Sequence, residues 1–303
     1  MHNNLYAGLV LLLTAALFVA SEVPEAAAAQ QTKTFTITPE DLINAGGNFF
    51  DLTFAIGGAR LTVDQTEDST IAVQAVVTYD DLGPAPKLDI SSGSSSGFVA
   101  LLSSGYDDSS DKSHYNPFPQ SWHVVIGSYG VPTGLTVAGG GIETNMDLGG
   151  MPLRSASLTL GGVSAFIDFS TPTTLRVENF EITGGGLNLG INNIANTDFQ
   201  RFSFIGGGVR ANLDFRGAYT SPEHSASIIG AGSLISIAVP KDAGESLAAL
   251  SAGGLTMVLG RGWRRFPLFF LYKNFETTDY GAAAVHLDFE LLTAGALVTV
   301  NRK

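Results

Sequence analysis

The sequence predicts an all-β fold, a single stack of short β layers of the β-solenoid kind, and three observations carry that prediction. Glycine clusters recur at a near-constant interval, an alternating segment follows each cluster, and one interval is too small to fold alone. Taking the last glycine of each cluster, Gly141, Gly162, Gly186, Gly208 and Gly232 are 21, 24, 22 and 24 residues apart. One, three and five places further on stand Ile142, Thr144 and Met146; Val163, Ala165 and Ile167; Leu187, Leu189 and Ile191; and Val209, Ala211 and Leu213. Between them lie mainly polar or small residues such as Glu143, Asn145, Ser164, Asn188, Arg210 and Asn212. That is the period of a strand with one buried face, not of an amphipathic helix.

The fifth copy slips by one, so that Ile235, Ile237 and Val239 precede Pro240. A second strand leads into most clusters: Leu158 to Leu160, Phe180 to Ile182, Phe202 to Ile205 and Ala226 to Ile229. Each unit therefore reads strand, glycine corner, strand, return loop, with glycine supplying a corner that needs positive φ and close backbone approach. Three or four buried apolar side chains offset only a fraction of the conformational entropy lost in ordering about 22 residues. The units must stack, at about 4.8 Å per layer.

From the amino terminus, residues 1–29 read as a secretory signal: an apolar run from Leu5 to Ala20, then Ala26 to Ala29, with cleavage expected between Ala29 and Gln30. The run falls short of the roughly 18 to 20 residues that a membrane span needs, although no Lys or Arg precedes it. The expected location is therefore periplasmic, cell-surface or extracellular. No later segment resembles a transmembrane helix, and the absence of cysteine excludes disulfides and thiolate zinc sites. Loss of Glu22 and Glu25 moves the net charge from −12 to −10. An acidic surface repels phosphate backbones, so nucleic acid is not an expected partner.

Residues 30–125 read as an irregular N-terminal β part with long loops. Gly57-Gly58 opens an early copy with Ala59, Leu61 and Val63, Ile71 to Thr78 is strand-like, Asp80 to Pro86 is turn-rich, and Ser91 to Ser113 reads as loop. Residues 126–303 form the glycine-punctuated repeat. At its end Tyr280 to Lys303 reads as two strands, with Val285, Leu287, Phe289 and Leu291 alternating before Leu297 and Val300, expected to close the stack.

The rungs from Gly141 to Val239, the segment ASIIGAGSLISIAVP (Ala226 to Pro240) and the closing DYGAAAVHLDFELLTAGALVTV (Asp279 to Val300) resemble the bacterial cell-envelope toastrack domains. That family includes adhesin modules and the C-terminal part of cell-wall-stress response regulators. The resemblance implies an all-β stack of the toastrack type and an envelope role in interaction or sensing, and it supplies no catalytic residues. The transmembrane helices of membrane-bound members are missing, which argues against direct signalling.

No motif builds a catalytic centre. Gly93 to Gly97 satisfies G-x-S-x-G but lacks the strand before and helix after that a nucleophile elbow needs. The histidines have no metal-ligand spacing, the glycine clusters open onto strands and not onto a helix N-terminus, and no cofactor is expected. Six residues after the reference glycines stand Asp147, Asp168, Asn192 and Asp214, a column whose carboxylates either bind a cation such as calcium, serve a polysaccharide-cleaving pair, or merely end strands. Tyr115, Phe118 and Trp122 are candidate sugar-stacking rings. Trp263, Arg264 and Arg265 are a candidate contact for an anionic lipid surface or else part of a strand capping the stack. The leading reading is a non-enzymatic envelope protein presenting a rigid β surface to a glycan, protein or membrane. The alternative is a polysaccharide lyase or hydrolase on a solenoid, opposed by the lack of a basic column beside the aspartates, where Glu143, Ser164, Asn188 and Arg210 stand.

Overall fold

The computed structural model describes residues 29–44, 48–81, 83–92, 97–104, 120–127, 129–162, 164–266 and 272–303. The chain is all-β, built on two large sheets that do not close into a barrel. The 11-stranded sheet runs in the order Gln30–Ile37, Val73–Asp80, Gln120–Gly127, Ala59–Thr66, Glu143–Asp147, Ser164–Asp168, Asn188–Asn192, Arg210–Asp214, Leu234–Val239, Leu297–Arg302, Thr256–Leu259. The 12-stranded sheet runs Trp263–Phe266, Tyr272–Thr277, Gly244–Gly253, His286–Ala294, Glu223–Ala231, Arg201–Gly207, Asn179–Gly185, Leu153–Gly161, Thr133–Gly140, Phe49–Ala55, Gly97–Ser103, Lys87–Ser92.

Through the middle of both sheets every pairing is parallel, and the chain passes from the second sheet to the first at a glycine corner. Gly58, Gly141, Gly162, Gly186, Gly208, Gly232, Gly254 and Gly295 all have φ between 58° and 69°. Their amides bridge to the neighbouring corner: Gly141 donates to the Gly161 carbonyl at 2.8 Å, Gly162 to Gly185 at 2.9 Å and Gly186 to Gly207 at 3.0 Å. The glycines counted in the sequence thus line up along one edge.

The inward residues after each corner are buried as the alternation requires, from Ile142, Thr144 and Met146 to Ile235, Ile237 and Val239. They meet the inward face of the other sheet, and Val163 lies outside the described residues. Near the return loops the core carries an edge-to-face phenylalanine ladder. Ring centroids of Phe169 and Phe180, Phe180 and Phe202, Phe202 and Phe215, and Phe215 and Phe289 are 5.5, 5.3, 5.2 and 5.1 Å apart. Such pairs add about 0.5–1.5 kcal/mol each beyond simple burial.

Three expectations need correction. Within the segment read as loop, Gly97–Ser103 is a strand that buries Phe98, Ala100 and Leu102, and it pairs in parallel with Phe49–Ala55. The strands His286–Ala294 and Leu297–Arg302 do not stand at the ends of their sheets, as closing strands would. They lie between Glu223–Ala231 with Leu234–Val239 on one side and Gly244–Gly253 with Thr256–Leu259 on the other. Leu297 is 38 % exposed while Ala296, Val298 and Val300, one, three and five places after Gly295 as in the earlier units, face the core, so Leu297 belongs to the outward set. The 12-stranded sheet instead ends in the antiparallel strands Tyr272–Thr277 and Trp263–Phe266. At the opposite end, Gln30–Ile37, Val73–Asp80 and Lys87–Ser92 pair antiparallel.

Candidate functional site

The aspartate column forms in register and its carboxylates are engaged locally. Asp168 pairs with Asp147 on one side and Asn192 on the other. Asp147 Oδ1 accepts from the backbone amides of Gly149 at 3.0 Å and Ser170 at 3.2 Å, and Asp168 Oδ1 accepts from Asn193 Nδ2 at 2.8 Å. Asp214 instead receives Arg216, whose Nε lies 2.8 Å from Oδ1 and whose Nη2 lies 2.5 Å from Oδ2. Burial works against the ionised Asp214, but the Arg216 hydrogen bonds and charge outweigh it and hold the carboxyl below its usual range. Asp147 and Asp214 fasten the turns that follow them, and Asp147 and Asp168 also hold the neighbouring unit through Ser170 and Asn193. Among the described residues no three His, Asp or Glu side chains converge as metal ligands.

Of the candidate stacking rings, Tyr115 and Phe118 lie outside the described residues, as do residues 1–28 of the signal segment. Trp122 is buried, with 1 % exposure, so it cannot serve as an exposed sugar platform. Its strand sends Gln120, Trp122, Val124 and Ile126 inward, and its indole N–H donates to Gln120 Oε1 at 3.1 Å.

The cluster at Trp263 is divided by the strand itself, since consecutive residues point to opposite faces. Arg264 is exposed and donates to the Thr278 carbonyl at 2.8 Å. Trp263 is partly buried against the core, with its indole nitrogen enclosed and without a hydrogen-bond partner. Arg265, exposed, follows Arg264 on the other face. One basic patch does not result.

Two buried polar clusters went unread. Asp198, in a left-handed conformation with φ 45°, accepts from the amides and hydroxyls of Thr220 and Ser221 at 2.6–2.9 Å. Burial opposes its charge, but these four donors outweigh that and lower its pKa. Near the far end of the stack Glu245, fully buried, lies 3.1 Å from Arg302 Nε, and Arg302 Nη2 reaches Asp279 at 2.9 Å. Burial raises the Glu245 pKa to about 7 despite the Arg302 charge. Both clusters are joined by residues far apart in sequence, which no local spacing announces.

The outward faces are regular. On the 12-stranded sheet, Ser155, Asn179, Arg201 and Ser225 stand in register, and so do Ser157, Glu181, Ser203 and Ser227. They frame a shallow groove of about 330 Å³ lined by Asn179, Glu181, Arg201, Ser203, Ser225 and Ser227. Arg201 Nε donates to Asn179 Oδ1 at 3.0 Å across the rows.

The chain matches no protein-family model and no curated protein. Among solved structures it is similar to a "putative cell adhesion protein" from Clostridium sporogenes, at 13% identity and TM-score 0.44 over 91% of this chain and 100% of that one. It is also similar to a "putative adhesin" from Parabacteroides merdae (13% identity, TM-score 0.41, 90% and 97% of the two chains). A third is a "putative lipid binding protein" from Parabacteroides distasonis (12% identity, TM-score 0.35, 90% and 97%). Each name belongs to its own protein, and the role of this chain has to come from its own geometry.

Proposed function

We propose that the chain is an exported, non-enzymatic protein of the cell envelope, a layered stack of the solenoid or toastrack type that holds a flat polar surface against an envelope glycan. The observation that carries this is the pair of in-register rows on the 12-stranded sheet, Ser155 to Ser225 and Ser157 to Ser227. Small hydroxyls, an amide, a carboxylate and a guanidinium repeat at the strand spacing of about 4.8 Å along a surface whose backbone is fixed on both sides. Such a surface meets an extended polymer with many weak, preorganised hydrogen bonds and little loss of conformational entropy on its own side. Export rests on residues 1–29.

The test is a polysaccharide array probed with the full chain and with the double variant Asn179→Ala/Arg201→Ala, alongside an assay for released reducing ends. Saturable binding that the variant weakens, without chain shortening, supports the reading. Release of reducing ends from any bound polysaccharide overturns it in favour of a hydrolase or lyase.

A further inference from the structure

The glycine edge changes character along the stack. On the 12-stranded sheet, the outward residue three places before each corner glycine, four at Gly254 where the strand bulges, forms one continuous row: Thr159, Thr183, Ile205, Ile229, Leu292 and Leu250. On the 11-stranded sheet, the outward residue two places after each corner forms another: Ser164, Asn188, Arg210, Leu234, Leu297 and Thr256. The units at Gly162 and Gly186 put threonine, serine and asparagine there. The later ones put isoleucine and leucine at the equivalent places, except Arg210 and Thr256, and Ile205, Leu292, Leu234 and Leu297 are 43, 37, 46 and 38 % exposed.

Between the two rows the corner is glycine and alanine, as in Gly206-Gly207-Gly208, Ala231-Gly232 and Ala294-Gly295, so no bulky side chain separates them. Val258, 50 % exposed, continues the apolar surface on the last strand of the 11-stranded sheet. The result is a narrow ridge, apolar on both flanks. Its rows carry one charged side chain from Ile205 and Arg210 onward, Arg210 itself, and it is cationic. On a chain of net charge −12 the ridge is free of carboxylates, and the nearest along its strands, Glu290, stands two residues farther from the corner than Leu292.

We infer that this ridge is a lipid-contacting edge, which seats itself in the interfacial region of a phospholipid bilayer with Ile205, Ile229, Leu292, Leu234 and Leu297 among the acyl chains. Two features select a bilayer over a second copy of the chain. The exposed apolar area is on the order of 300–400 Å², enough to be a functional patch but well below the roughly 800 Å² per partner of a stable protein interface. The absence of carboxylates on the ridge keeps the acidic remainder of the protein away from lipid phosphates, while Arg210 lies at their level. The inference rests on the interaction reading above but uses a different surface, so the two fail separately.

The experiment is vesicle flotation of the full chain, without residues 1–29, on phosphatidylcholine alone and on equal parts of phosphatidylcholine and phosphatidylglycerol. The variant Ile205→Thr/Ile229→Thr/Leu234→Asn copies residues the chain already uses at the same places in earlier layers, so it folds as the parent does, which circular dichroism and thermal melting verify. Binding of the parent to either vesicle, reduced at least tenfold in the variant, supports the inference. Absence of parent flotation, or equal flotation of parent and variant, overturns it. Sedimentation velocity supplies the competing outcome: self-association of the parent that the variant abolishes, without flotation, assigns the ridge to a second copy. Retained array binding by a protein that does not float removes the lipid edge and leaves the glycan reading standing.

Discussion

Truncating Phe202 to alanine tests whether the layers hold one another. Phe202 is 1 % exposed and sits mid-ladder, with ring centroids 5.3 Å from Phe180, 5.2 Å from Phe215 and 6.2 Å from Phe199. Removing a buried phenylalanine ring costs about 3–5 kcal/mol where the surroundings do not collapse. The upper part of that range applies, because three ring contacts worth about 0.5–1.5 kcal/mol each disappear with it and the parallel strands on both sides hold the space open. Phe202→Leu restores most of the buried volume but not the ring geometry, and should cost about 1–2 kcal/mol. The comparison residue is Phe166, 44 % exposed on the outer face, where alanine should change stability by no more than about 0.5 kcal/mol. Urea unfolding followed by far-ultraviolet circular dichroism reads all three. If Phe202→Ala lies within about 1 kcal/mol of the parent, or Phe166→Ala is equally severe, the layers do not share a core as described.

The remaining predictions concern single sites. At Gly208, with φ 62° and open space around a would-be Cβ, alanine costs only the backbone term of about 1–2 kcal/mol; at Gly139 a Cβ would lie 1.7 Å from the Ile56 carbonyl, so Gly139→Ala should be the far worse of the two in a thermal melt. Glu245, raised from 4.5 to about 7, binds a proton in the native state that the unfolded chain has released, so stability should fall as pH rises from about 4.5 to about 7 and level off above, by up to about 3 kcal/mol. Glu245→Gln should flatten that interval, and an unchanged slope in the variant refutes the assignment. Asp198, whose pKa is lowered, acts in the opposite sense: its contribution is complete above the unfolded carboxyl range and is lost as pH falls through its depressed native value. Asp198→Asn, which suits the left-handed backbone but gives up the charge, should cost about 1–3 kcal/mol near neutrality in a urea titration and less in strong acid. Millimolar calcium or EDTA should move the melting temperature by less than about 1 °C, since Asp147, Asp168 and Asp214 are already engaged by Gly149, Asn193 and Arg216; a larger calcium-dependent rise would make the column a cation site.

The repeat was legible because glycine at a left-handed corner leaves no alternative residue of equal cost, so Gly141 to Gly232 recur visibly, and the alternation after each one names its buried face without ambiguity. Gly97–Ser103 was hidden by its neighbours: a serine-rich surrounding masked the alternation of Phe98, Ala100 and Leu102. Trp122 misled because Pro117 and Pro119 before it suggested an open loop, whereas its phase on Gln120–Gly127 turns it inward. Strand order could not be read at all. The buried alternation repeats from unit to unit, so nothing local says that the strands ending at Arg302 lie inside the pair that precedes them in sequence. The apolar ridge was written in the letters Thr159, Thr183, Ile205 and Ile229, but it takes the strand register to see that these occupy one row.

That inverted order has a mechanical consequence. His286–Ala294 and Leu297–Arg302 are each hydrogen-bonded to parallel neighbours on both sides. A pull transmitted through Lys303 therefore meets two strands clamped lengthwise, and many bonds must shear together before either yields. A tether fastened there would resist detachment far better than one fastened at Gln30–Ile37, which borders a single neighbour and can be unzipped one bond at a time.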